Sequence, residues 1–106
     1  MNDPKTEERI SAVSKGPRVT RGLIDAKIRG VSYMRRRSMT ICVIELANGF
    51  QVIGKSAPVD PTNFDEEVGR NLAYNDAYSQ IWMLEGYLLA EKLFLKRTES
   101  NSHESY

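Results

Sequence analysis

From about residue 65 to about residue 97 the chain contains no proline, and its apolar residues recur at helical spacing. No other feature constrains the fold as much. Ala73, Ala77, Ile81, Leu84, Leu88 and Leu95 fall on one face, and Val68, Leu72, Trp82, Leu89 and Leu93 widen it. Some 30 helical residues would span roughly 45 Å at the standard rise. A single domain of 106 residues has a radius of gyration of only about 13 Å, so it cannot cover a helix of that length. The helix is therefore expected to kink, with Gly86 the place, and to pack along a second chain. The expected state is a homo-oligomer, most simply a dimer.

A second stripe on this helix is made of Leu72, Asn75, Ser79, Trp82 and Gly86, where small or polar positions lie among apolar ones. Such a stripe suits an oligomer seam or a pocket wall, and the seam is the preferred reading. A buried Trp82 needs a partner for its N–H, which Glu85 could supply.

The helix is preceded by a hairpin and a proline-bounded loop. Asn48-Gly49 sits between two alternating apolar runs, and both residues tolerate the positive φ that a type I′ turn requires. Thr40, Cys42, Ile44 and Leu46 share one face of the first strand, Met39, Ile41, Val43 and Glu45 the other. Both faces are largely apolar, so this strand is expected to be central or covered on both sides. Pro58 and Pro61 end the second strand. Asp60-Pro61 then reads as a cap and first position of a short helical turn. Asp65-Glu66-Glu67 suits the positive end of the long helix.

Upstream, Thr20 caps a short amphipathic helix of about two and a half turns that ends at Gly30. Val31–Arg37 is a strand, and Arg35-Arg36-Arg37-Ser38 turns it into the next. The fold class is α+β: a three-stranded antiparallel meander with a short N-terminal helix and one long C-terminal helix, as a dimer. Residues 1–17 read as a flexible arm, with a weak helix over residues 4–13. Residues 18–97 form a single globular domain, and residues 98–106 form a disordered tail.

Composition narrows the function classes. Apolar content is 41% and charged content 27%, ordinary for a soluble chain. Charges interrupt the apolar run of the long helix, so it is not a membrane span. The N-terminus has no apolar core, so no signal peptide is read there and the cytoplasm is the expected location. One cysteine and one histidine argue against a structural zinc site. Net charge is +1, but residues 1–37 carry net +6 and residues 38–106 net −5. That asymmetry fits an anionic ligand, an oppositely charged partner or attraction between the halves of a dimer.

No catalytic constellation, metal site or cofactor motif is visible. His103 lies in the expected tail, and Cys42 reads as a small core residue. Two groupings could bind. Arg35, Arg36 and Arg37, with Tyr33 before them, could fork onto phosphates, or could simply be charges on a solvated turn. Asn63-Phe64-Asp65 could grip a purine, with Phe64 stacking, Asn63 and Asp65 reading its edge and the helix N-terminus meeting a phosphate. Equally, Phe64 could staple the helix while Asn63 and Asp65 cap it.

The order strand, NGF turn, strand, SA-x-V-x-P-x-NFD loop and a helix with G-R and W-x-LEGYLL resembles a family of small proteins of tailed phages and prophages, over about residues 20–94. Members more often place a turn rich in Gly or Pro where this chain has MRRRS, so any role of the arginine triplet is specific to this sequence. The resemblance brings no activity with it. A weaker one is to the phage anti-Thoeris sponges, oligomers of sheet and long helix that sequester cyclic ADP-ribose-type signals. It implies ligand contacts at Asn63, Phe64, Asp65 and Arg70. The expected function is a non-enzymatic phage accessory protein that sequesters a small phosphorylated nucleotide. Alternatives are a module that inhibits a host protein and, less favoured, nucleic-acid binding through Arg35–Arg37.

Overall fold

A computed structural model describes residues 16–101. The expected arm helix over 4–13 and the end of the expected tail lie outside those residues. The chain runs α1 (Arg21–Lys27), β1 (Ile28–Arg36), β2 (Met39–Leu46), β3 (Gln51–Ser56), a 3-10 turn (Pro61–Asn63) and α2 (Glu66–Asn101). The sheet is an antiparallel meander in the order β1-β2-β3, with β2 central. The fold is α+β, as the sequence implied.

Local chemistry explains most boundaries. The Thr20 hydroxyl accepts from Leu23 N at 3.1 Å and starts α1. The helix is shorter than expected: it ends at Lys27 and passes straight into β1 at Ile28. Gly30 is thus not a helix cap but a strand residue beside a register shift between Ile28 and Gly30. The β1–β2 turn holds only Arg37 and Ser38, with Arg37 at φ 55°. Arg35 and Arg36 belong to β1, not to the turn. The next turn also differs in type. Gly49 alone has positive φ (89°). Gly49 N donates to Leu46 O and Leu46 N to Phe50 O, both at 2.9 Å. This is a three-residue loop with glycine in the left-handed position, not a type I′ turn.

Asp60 caps the 3-10 turn as expected, accepting from Thr62 N at 3.0 Å. The Thr62 amide and hydroxyl hold its carboxyl below the ordinary range. Asp65 caps α2, accepting from Val68 N at 3.0 Å. From there α2 is uninterrupted through Gly86 and runs on to Asn101, into the stretch expected to be tail.

The core is one layer between sheet and helix. Cys42, Ile44, Leu46 and Val52 pack on Ala73, Ala77, Tyr78 and Ile81, with Ile24 of α1 closing one side. The close approach is made by small residues. A methyl added at Gly54 would strike Ala73 O, Ala77 N and Ala77 Cβ, so the helix backbone lies directly on β3. Two α2 side chains hold the outer edge of β3: Asp76 accepts from Lys55 N at 2.9 Å, and Gln80 Nε2 donates to Ile53 O at 2.7 Å. They meet edge groups that would otherwise be open to another strand. α1 is tied on by Tyr78 OH donating to Asp25 at 2.7 Å and by Lys27–Glu85 at 2.8 Å.

The core stripe of α2 stops early. Leu84, Leu88 and Leu95 are exposed rather than buried, and so are Val68 and Leu72. Three short strands reach only as far as Ile81 and Glu85, and the helix continues past them. The molecule is accordingly elongated, 65 × 31 × 24 Å with a radius of gyration of 18.1 Å. Glu85 is engaged by Lys27, so it does not satisfy Trp82, whose buried Nε1 has no hydrogen-bond partner among the described residues. The opposite face of β2 is only half-covered, so β2 is central in the sheet without a second layer.

Candidate functional site

The helix lies mainly over β2 and β3 and leaves the inward face of β1 partly bare. The register puts Tyr33 opposite Cys42 and Arg35 opposite Thr40, so both side chains share the sheet face that meets α2. At the same end, the loop delivers Phe64 and α2 begins. The result is an open cleft of about 680 Å³ between Tyr33 on one side and Phe64, Asp65, Glu66, Glu67 and Arg70 on the other. Gly69 lets the first turns of α2 settle on the sheet, since a Cβ there would come within 2.7 Å of Thr40 Oγ1.

Two cations lie over aromatic rings at this cleft. The Arg35 guanidinium is 4.0 Å from the Phe64 ring centroid, and that of Arg70 is 5.6 Å from the Tyr33 centroid. Arg70 also pairs with Glu66 at 2.9 Å, one helical turn earlier. Both partners of that pair are exposed, so it is weak and exchangeable. Burial, and the neighbouring Cys42 thiol, push the Tyr33 phenol above its ordinary value, so it stays a neutral donor. Burial also raises the Cys42 thiol.

Of the residues proposed for a ligand, the structure brings Arg35, Phe64, Asp65 and Arg70 together. It separates the others. Asn63 lies on the far side of Phe64, lining a small cavity of about 80 Å³ with Ala57, Pro58 and Leu72. Arg36 pairs with Met39, so it projects from the opposite sheet face to Arg35. Arg37 offers its carbonyl, which accepts from Arg35 Nε at 2.7 Å. The triplet is therefore not one basic patch. Asp65 already caps the helix through one carboxylate oxygen. Glu66 and Glu67 were read as dipole-matched residues in preference to metal ligands, and their place at the cleft depends on where β1 ends, which no local pattern reports. Among the described residues no cluster of His, Cys, Asp or Glu could hold a metal ion, and no helix is long and apolar enough to cross a membrane.

The expected seam residues Leu72, Asn75 and Ser79 are exposed, with Trp82 and Gly86 half-buried. The Ser79 hydroxyl donates to Asn75 O at 2.9 Å, a bond within the helix.

The family model described as phage protein (N4 Gp49/phage Sf6 gene 66) family matches residues 19–93, from just before the Thr20 cap to the last turns of α2. No curated protein and no solved structure matches the chain.

Proposed function

The chain belongs to the phage protein (N4 Gp49/phage Sf6 gene 66) family, and we propose that it serves the phage by holding a small phosphorylated nucleotide in the Phe64 cleft without transforming it. The observation that carries this reading is the convergence of Phe64, Tyr33 and Arg70 on one open cleft, with the Arg35 guanidinium over the Phe64 ring. Its volume of about 680 Å³ lies in the range of small-molecule sites.

The chemistry follows from the charges present. The cleft carries the carboxylates of Asp65, Glu66 and Glu67, so an anion cannot enter on net charge alone. A phosphate must take Arg70 from Glu66, exchanging a monodentate carboxylate contact for a forked one. A base would slide against Phe64 in place of Arg35, freeing that guanidinium for a second phosphate. Sequestration needs only tight binding, and the arrangement requires no acid–base pair or nucleophile.

Titration calorimetry of nucleotide-free protein with cyclic and ADP-ribose-type nucleotides tests the reading. Binding is expected in the wild type, with Phe64→Ala and Arg70→Ala each weakening it at least about tenfold, the loss of one stacking or charged contact. Absence of heat with every nucleotide would overturn it. The nucleic-acid alternative draws no support from the arginine triplet, whose members point to two faces of the sheet.

A further inference from the structure

We propose that a second copy of this chain packs antiparallel on the C-terminal half of α2, about a two-fold axis level with residue 89. This goes beyond the ligand reading and does not depend on it.

The surface is unusual for a small chain. Met83 and Tyr87 are 75% and 72% exposed, Phe94 and Leu95 53% and 55%, and Leu84 and Leu88 both 42%. At 100° per residue these six side chains form one ridge, on a different side of α2 from the Leu72–Gly86 stripe. With Phe50 of the hairpin, also 55% exposed, the ridge presents about 800 Å² of accessible side chain. That is what one partner contributes to a standard stable interface, and it exceeds the apolar patches of ordinary monomers.

The two ends of the ridge are complementary, and this selects a second copy as the occupant. At one end, Met83, Leu84, Phe50 and Gln80 border a cavity of about 350 Å³. At the other end, roughly 15 Å along the same helix face, Phe94 and Leu95 stand out as knobs. A two-fold contact needs a surface that fits itself, with residue i meeting j and j meeting i. With the axis level with residue 89, position 84 meets 94 at both ends, so each cavity receives the other chain's Phe94. The same register sets Glu91, the charge within the ridge, against the partner's Tyr87 hydroxyl, which can donate to it. The 84, 87, 91, 94 spacing is the three-four repeat of helix–helix packing.

Light scattering and sedimentation of the full chain give the first test. A dimer is expected at micromolar concentration, converting to a monomer with unchanged far-ultraviolet circular dichroism in Leu88→Glu and in Phe94→Asp. The register is tested separately in the double variant Leu84→Cys/Phe94→Cys. Mild oxidation should yield covalent dimers joined between position 84 of one chain and position 94 of the other, identified by mass spectrometry of the digest. A monomeric wild type, a dimer indifferent to Leu88→Glu, or links joining 84 to 84 would overturn the proposal.

Discussion

The contact between β3 and α2 predicts that two glycine-to-alanine changes have opposite signs. At Gly54 the added Cβ would lie 2.8 Å from Ala77 Cβ and closer still to Ala73 O and Ala77 N. Two of the three obstructing atoms belong to the helix backbone, so no rotamer change relieves the clash. To restore ordinary contact distances α2 must retreat by about 1 Å. Overpacking of this kind costs about 1–3 kcal/mol. The retreat also pulls Asp76 and Gln80 from the edge of β3, where they bond Lys55 N and Ile53 O, at about 1 kcal/mol each. Restricting the unfolded chain returns about 0.5–1 kcal/mol. The net loss is about 3 kcal/mol, a fall in Tm of about 12–24 °C for a domain of this size. At Gly86 a Cβ meets nothing within 4 Å. Alanine there should stabilise the helix by about 0.5–1 kcal/mol. Thermal unfolding of both variants at one fixed protomer concentration checks the pair. If Gly54→Ala melted within about 3 °C of the wild type, a loss below 1 kcal/mol, the direct seating of α2 on β3 would be wrong.

Three further outcomes follow from other contacts. Lys27→Met strands the buried Glu85 carboxylate and should cost about 1–2 kcal/mol, discounted for the partial exposure of Lys27, while Lys27→Met/Glu85→Leu should recover most of it in denaturant titration. Asp65→Ala removes the acceptor of Val68 N and should cost about 1 kcal/mol in the same assay. Burial and the bond to Asp25 raise the Tyr78 phenol above its ordinary 10.0. Its contribution is therefore complete below pH 10 and is lost as pH rises beyond it. Tyr78→Phe should lower stability at neutral pH yet flatten its decline between about pH 9.5 and 11.5. A decline as steep as that of the wild type would show that Tyr78 is not the group responsible.

What could be read in the sequence was what short-range chemistry decides. Thr20, Asp60 and Asp65 each start a helical segment by accepting from an amide two or three residues on, and each was legible for that reason. Asn48-Gly49 was legible as a turn but not as its type, because Gly49 alone takes positive φ and the loop closes one residue later, at Phe50. Arg35 was read both as a strand residue on the face of Tyr33 and as the start of the turn, and the strand reading holds. Pairing with β2 makes it a strand residue facing Phe64, and that pairing is a property of two strands rather than of one. The cleft was legible residue by residue at Phe64 and Tyr33, with Arg70 added only by the sponge resemblance, but not as a place, since it exists where α2 fails to cover β1.

The two halves of α2 share one heptad-like pattern and meet different fates, and side-chain size marks the change. Where the helix crosses β3 its inward positions are Ala73 and Ala77, and the facing strand residue is Gly54. Small residues on both sides let backbones touch and leave no room for a leucine. Beyond Ile81 the corresponding positions become Leu84, Leu88 and Leu95, too large for such an approach, and only Leu84 still borders β3, across the cavity beside Phe50. A monomer would pay for exposing them without gain. Helix periodicity reports only that a face is apolar and says nothing of what covers it. The shift from alanine to leucine along one face marks where this chain's own sheet ceases to cover it, and the proposed second copy would meet it there with a helix of similar bulk. On that argument the length of α2 and the size of its side chains past residue 83 are one feature, and shortening the ridge by Phe94→Asp should weaken association while leaving the Gly54 contact and the fold of residues 18–81 intact.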